Sequence, residues 1–216
     1  MKLNKYIDHT LLKPEATATQ IDRVIREAKE NHFASVMVNP YWVSRVHKAL
    51  IGTNVHTATV IGFPLGANAT NIKFQETKQA INDGADELDV VMNIGEFKSG
   101  NYYMVKNEII KLVVFAHERN RILKVIVETS LLNDDEKVKV SKLVVSTGAD
   151  FIKTSTGFSD SGASIYDVKL IVKTVGNQLA VKASGGIHTI SDATAMINAG
   201  ASRLGVSNSM QIIGRN

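Results

Sequence analysis

Gly148-Ala149-Asp150-Phe151-Ile152-Lys153-Thr154-Ser155-Thr156-Gly157 joins the foot of one helical pattern to a short apolar run that closes on a lysine. So short a run suits a parallel strand buried on both faces, where β-forming residues need not alternate with polar ones. The same grammar recurs elsewhere. Gly84-Ala85-Asp86 precedes Glu87-Leu88-Asp89-Val90-Val91, and Gly200-Ala201-Ser202 precedes Arg203-Leu204-Gly205-Val206. The copies begin 64 and 52 residues apart with one further strand in each interval, so the repeating unit is 32 or 26 residues long. That length holds a strand, a loop and a crossover helix. Glycine at the foot of each helix suits the C′ position, where a left-handed backbone needs no Cβ.

Extending the pattern gives eight strands, at 7–11, 35–38, 57–61, 88–92, 123–127, 151–153, 180–183 and 203–206. Helical signals fall between them. Ile21, Val24, Ile25 and Ala28 repeat at helical spacing behind a Thr17-x-x-Gln20 capping box, and Asn133-Asp134-Asp135-Glu136 crowds acid into another helix start. Ile165, Val168, Ile171 and Val172 mark a third stripe. Strict alternation predicts an α/β fold with a parallel sheet, and eight units predict a closed TIM (β/α)8 barrel over residues 1–216 as a single domain. An open doubly wound sheet is the alternative; no Gly-x-Gly-x-x-Gly turn after an early strand supports it. In a closed barrel the function belongs at the carboxyl ends of the strands.

Composition narrows the classes. With 44% hydrophobic and 21% charged residues the chain is ordinary globular material, and no apolar run approaches a membrane span. The first residues lack a stretch of signal-peptide length, so a cytoplasmic protein is expected. The absence of cysteine removes disulfides and thiolate chemistry. A net charge of +4 from 25 basic and 21 acidic residues is spread along the chain, which favours an anionic small molecule over nucleic acid. The six histidines show no His-x-x-x-His or His-x-His spacing, so no metal site is expected. Tyr102, Tyr103 and Trp42 read as packing residues.

Chemistry concentrates at the predicted strand ends. Lys153 closes its strand, and Ala180-Val181-Lys182-Ala183-Ser184-Gly185-Gly186 repeats the arrangement one unit on. A lysine withheld from water loses pKa and becomes a nucleophile toward carbonyls, and a second cation nearby lowers it further. An ordinary strand-end lysine with its head in water is the bland reading of either one. Asp89, between Leu88 and Val90, turns its carboxylate to the opposite face; inside a barrel it must be paired, as an ion pair or as a proton carrier. Gly157, Gly185-Gly186 and Ser207-Asn208, with His188, stand at the ends of the last units, where bared N–H groups and a helix amino end hold phosphate in many barrels. A tight turn without a ligand is the alternative there.

These residues carry a resemblance over nearly the whole chain. Asp8-His9-Thr10, Val38-Asn39-Pro40, Val60-Ile61-Gly62-Phe63-Pro64-Leu65-Gly66, Glu87-Leu88-Asp89-Val90-Val91, the run from Phe151 to Phe158 and Val181-Lys182-Ala183-Ser184-Gly185-Gly186-Ile187 together resemble the 2-deoxyribose-5-phosphate aldolase family. The resemblance implies a TIM barrel and a class I aldolase that needs neither metal nor organic cofactor. It implies Lys153 as the Schiff-base residue, Lys182 as the perturbing second lysine, Asp89 in proton transfer and a homodimer or larger assembly. Two positions depart from the family pattern. His188 stands where arginine is usual and Asn208 where a second serine is frequent, and no tyrosine follows Ser209 to take the terminal proton-transfer role known in some members. A phosphosugar isomerase or synthase using Lys153 only as a charge, or a non-catalytic phosphometabolite-binding barrel, are the rival expectations.

Overall fold

In the computed structural model, which describes residues 3–215, eight parallel strands close into a barrel in sequence order. They are β1 (Ile7–Leu11), β2 (Ser35–Val38), β3 (His56–Ile61), β4 (Glu87–Val91), β5 (Ile122–Ile126), β6 (Phe151–Lys153), β7 (Ala180–Ser184) and β8 (Arg203–Val206). Ile7 opposite Leu204 closes the ring between β1 and β8. The outer layer comprises α1 (Ala18–Asn31), α2 (Val43–Leu50), α3 (Thr70–Asn82), the short α4 (Ile94–Lys98), α5 (Tyr102–His117), α6 (Asp134–Val145), α7 (Ile165–Val175), α8 (Ile190–Asn198) and the single turn α9 (Ser209–Ile212). This is the TIM barrel that the repeats predict.

Local signals place most helix starts. Thr17 and Gln20 form a reciprocal capping box at α1, and Asn133 and Glu136 form one at α6. At α7 the buried stripe is Val168, Ile171 and Val175; Ile165, expected to belong to it, is 44% exposed because it occupies the first turn, beyond the sheet. Of the three expected C′ glycines, Gly84 and Gly200 follow the caps Asp83 and Ala199 directly, whereas Gly148 comes one residue later, after Ser146 and Thr147. Gly84 is also sterically required: at φ +102 a Cβ would lie 2.2 Å from the His47 ring. Tyr103 is 75% exposed, so it is not the packing residue expected; Tyr102 meets Phe97 edge-on at 5.2 Å.

The strand boundaries shift by one residue on β3, β4 and β5, which begin at His56, Glu87 and Ile122, while β7 extends to Ser184. Polar residues head or end three of these strands, and a pattern that starts strands at the first apolar residue passes over them. The reason lies in how the barrel divides its faces. Outward positions such as Ile7, Val36, Leu88, Val90, Leu123, Val125, Ile152 and Val181 pack against the helices in one continuous core, each fully buried aliphatic side chain contributing about 1.5–3 kcal/mol. Inward positions split in two. One side of the lumen is apolar, with Met37, Ala58 and Val60 packed with Leu12 against Phe63. The other is ionic, with Asp8, Glu87, Asp89, Lys124, Lys153 and Lys182 all buried. Barrel interiors are ordinarily layers of branched apolar side chains, so half a lumen of charge needs a functional account.

Candidate active site

Asp89 is the hub of the ionic half. Leu88 and Val90 face the helices, and strand alternation therefore turns the Asp89 carboxylate inward. Its Oδ1 accepts from Lys124 Nζ at 3.0 Å, while its Oδ2 accepts from both Lys153 Nζ at 2.9 Å and Lys182 Nζ at 2.7 Å. Lys153 and Lys182 are register partners on β6 and β7, as Asp89 and Lys124 are on β4 and β5. Lys124 also reaches Glu87 Oε2 at 2.5 Å, and Arg203 bridges Glu87 and Asp8. Ser35 Oγ donates to Asp8 Oδ1 at 2.7 Å. Lys182 Nζ lies 2.5 Å from Asp8 Oδ2 without meeting hydrogen-bond geometry, so that oxygen is paired by charge alone.

Charge balance decides which of these groups gives up its proton. Among the described residues, four lumenal cations (Lys124, Lys153, Lys182, Arg203) face three carboxylates (Asp8, Glu87, Asp89). A surplus charge in a low-dielectric interior is expelled from the group that holds it least. That group is Lys153. Burial lowers its pKa most, Asp89 pulls it back, and Lys182 and Lys124 push it down again, leaving it at about 8. Lys124 moves the other way, because Asp89 and Glu87 together outweigh burial and hold it above the ordinary lysine range. Burial would raise the acids, yet Lys124, Lys153 and Lys182 keep Asp89 well below the carboxylate range, and Lys124 with His56 brings Glu87 to about 2. Asp8 is lowered likewise, burial being overcome by Lys182 and Arg203.

Above this network opens a cavity of about 390 Å³, with Lys153 in its lining and walls from the loops after β6, β7, β8 and β1. Among the described residues no carboxylate lines it, and its titratable residues are Lys13, Lys153 and His188. The loop after β6 is locked onto the end of β7. Ala163 N–H donates to Ser184 O at 3.0 Å, Ser184 Oγ donates to Ser155 O at 2.6 Å, and a Cβ on Gly162 would lie 2.2 Å from the carbonyl carbon of Gly185. Buried Glu128, at the end of β5, accepts from the N–H and hydroxyl of Thr156 and fixes the approach to Gly157. Gly185 and Gly186 have φ of +79 and +74, two successive left-handed positions that favour glycine. Among the described residues, the N–H groups of Gly157, Gly186, Ile187 and Ser207 have no protein acceptor. At the mouth Phe158 meets Phe63 edge-on, ring centres 5.1 Å apart.

Residues 2–216 match the family model described as DeoC/LacD family aldolase. The chain belongs to that family. It is 61% identical over 215 residues to a deoxyribose-phosphate aldolase of Lactiplantibacillus plantarum, with 100% of both chains covered. Among solved structures it is similar to the tetrameric deoxyribose phosphate aldolase of Aeropyrum pernix, at 31% identity and a TM-score of 0.92 over 98% of this chain and 89% of that one. It is also similar to an aldolase called QR15, at 40% identity and a TM-score of 0.93 over 98% and 94% of the two chains.

The fold brings Lys153, Lys182 and Asp89 together as expected, and Gly157, Gly185, Gly186 and Ser207 line the cavity with His188 at its exposed rim. Asn208 is not on the lining. Its Nδ2 donates to the His188 carbonyl at 2.8 Å, so it braces the two loops from behind. Before the start of α8, Asp192 accepts from the N–H groups of His188 (3.0 Å) and Thr189 (2.9 Å), so these two are engaged within the protein. Sequence reasoning passed over Lys124, which stands between Leu123 and Val125 as Asp89 stands between Leu88 and Val90; the same rule of an isolated charge in an apolar strand finds it. Glu87 and Arg203 head their strands and gave no such signal. Lys13 sits in a loop, where no periodicity operates.

Proposed function

We propose that the protein reversibly cleaves 2-deoxyribose 5-phosphate into glyceraldehyde 3-phosphate and acetaldehyde through a Schiff base on Lys153. The observation that carries this reading is Lys153 itself: a buried amine at about pKa 8, lining a carboxylate-free cavity and sharing an Asp89 oxygen with Lys182. Such an amine is free base in about a tenth of molecules at pH 7, against less than a thousandth for an ordinary lysine. The free amine adds to the aldehyde carbon of the open-chain sugar, and loss of water leaves an iminium ion. As the carbon–carbon bond breaks, its electron pair moves into the iminium to give an enamine, while the C3 hydroxyl proton leaves toward Lys182 and Asp89 through a water. Returning a proton to the enamine carbon and adding water releases acetaldehyde and restores Lys153. The iminium is the electron sink, so this chemistry calls for no metal or organic cofactor. Asp89, held well below the carboxylate range, is a weak base alone; in this reading it aligns both amines and works as one end of a relay with Lys182.

The unengaged N–H groups of Gly157, Gly186 and Ser207, beside Gly185, are assigned to the phosphate, with His188 at the rim and Asn208 supporting from behind. The tetramer of the Aeropyrum pernix relative supports a homodimer or larger assembly for this chain. Among the described residues no helix is long and apolar enough to cross a membrane, and a cytoplasmic role in deoxyribose phosphate catabolism is the proposed setting.

Borohydride reduction in the presence of acetaldehyde tests the reading. A Schiff base becomes a permanent N-ethyl-lysine, which peptide mass spectrometry should locate at Lys153. Modification confined to another lysine, or none, would sink it.

A further inference from the structure

We infer that Lys13 is a specificity-determining residue, meeting the substrate's phosphate from the cavity wall after β1; this deepens the aldolase reading and rests on it. In the ring the order β6, β7, β8, β1 sets the loops side by side. The N–H groups assigned to phosphate come from the loops after β6, β7 and β8, and the next wall, after β1, presents Leu12 and Lys13. The backbone there is held in place. Leu12 is buried against Met37, Ala58 and Val60, its carbonyl accepts from Asn39 Nδ2 at 3.1 Å, and the Lys13 carbonyl accepts from Ala16 N–H at 3.1 Å.

The chemistry of the ligand asks for a cation at this place. A sugar phosphate is close to a dianion at neutral pH, and backbone N–H groups supply hydrogen bonds but no net charge. Lys153 cannot serve, being 3% exposed, tied to Asp89 and committed to the aldehyde end of a five-carbon chain. His188 stands at the exposed rim with its N–H committed to Asp192. Lys13 is exposed and makes no salt bridge among the described residues. With no carboxylate on the lining, nothing in the cavity competes with a phosphate for that ammonium.

The test compares the parent, Lys13→Met and Lys13→Arg. The ratio of kcat/KM for 2-deoxyribose 5-phosphate over that for 2-deoxyribose should fall about tenfold in Lys13→Met, the loss of one charge-assisted contact at a partly exposed site. Lys13→Arg, which keeps the charge, should recover most of the ratio. An unchanged ratio, or an equal loss on both sugars, overturns the inference. Borohydride trapping with acetaldehyde, which bears no phosphate, separates this from the reading beneath it. Trapping intact with the ratio unmoved overturns only the role of Lys13, whereas failure to trap in the parent overturns the aldolase reading. Calorimetric titration with inorganic phosphate decides the matter for Lys13 even then: its Kd should rise about tenfold in Lys13→Met and return in Lys13→Arg, and equal Kd values in all three proteins overturn the inference.

Discussion

The amines of Lys153 and Lys182 converge on one oxygen, Oδ2 of Asp89, at 2.9 and 2.7 Å. Two cations on a single acceptor oxygen repel each other, and the one with less support elsewhere yields its proton more easily. Lys182 also has Asp8 at 2.5 Å; among the described residues Lys153 has Asp89 alone. The asymmetry assigns the nucleophile to Lys153.

Replacing Lys182 with methionine removes a like charge and releases Asp89 Oδ2 to Lys153, and both changes raise the pKa of Lys153. The acidic limb of the kcat/KM profile, expected near pH 8, should move up by about one unit or more, with a matching loss of rate at pH 7. A limb that stays near 8 would show that the two amines are not coupled.

Lys153→Met should abolish trapping and turnover, and it should stabilise the protein at neutral pH. Lys153 titrates at about 8 in the fold against about 10.4 in an unfolded chain, so between those values the unfolded state binds more protons and native stability climbs with pH. Burying the charged amine therefore destabilises the parent below pH 8, by on the order of 3 kcal/mol, and the penalty vanishes near pH 10.5. Denaturant unfolding at pH 7 and pH 10 should show the variant's advantage shrinking; equal advantages at both would contradict the lowered pKa.

For Asp89→Asn, turnover should drop by roughly 10²–10⁴ while Schiff-base formation is slowed less. Three buried ammonium groups then face an amide, so stability should fall by about 3–5 kcal/mol. Near-normal turnover in stopped assays would remove Asp89 from the proton path.

Glu87 is lowered from 4.5 to about 2, and a depressed acid contributes stability that is present above its unfolded pKa and lost as pH falls through the folded one. The parent should lose stability steadily from pH 4.5 to 2. Glu87→Gln should be weaker by about 3–5 kcal/mol at pH 7, since Lys124 and Arg203 lose a buried partner, and its stability should fall less steeply over the same acid range. Parallel pH profiles for the two proteins would place the acid sensitivity elsewhere.

The primary structure alone made the barrel legible, because each βα unit repeats its own punctuation: a glycine past the helix, a short apolar strand, a polar strand end. Such signals are local, and they found all eight strands to within a residue at each end. An isolated charge in an apolar strand exposed Asp89, and a repeated strand-end lysine exposed Lys153 and Lys182, for the same reason: a strand's alternation and its end are read before anything is known of what lies across from it.

What lies across is settled only by closure. That Lys153, Lys182 and Lys124 all reach one carboxylate depends on barrel register, and separations of 64, 93 and 35 residues leave no trace in local pattern. The lysine pKa values follow from that meeting: identical side chains are pushed to about 8 at Lys153 and above the usual range at Lys124, because one faces cations around a single acid and the other sits between two acids. Loop residues depend on tertiary structure most of all. Asn208 turned behind the loops, the His188 and Thr189 N–H groups were taken by Asp192, and Lys13 came to the cavity wall, because a loop side chain's direction is set by packing against distant elements rather than by any period of its own.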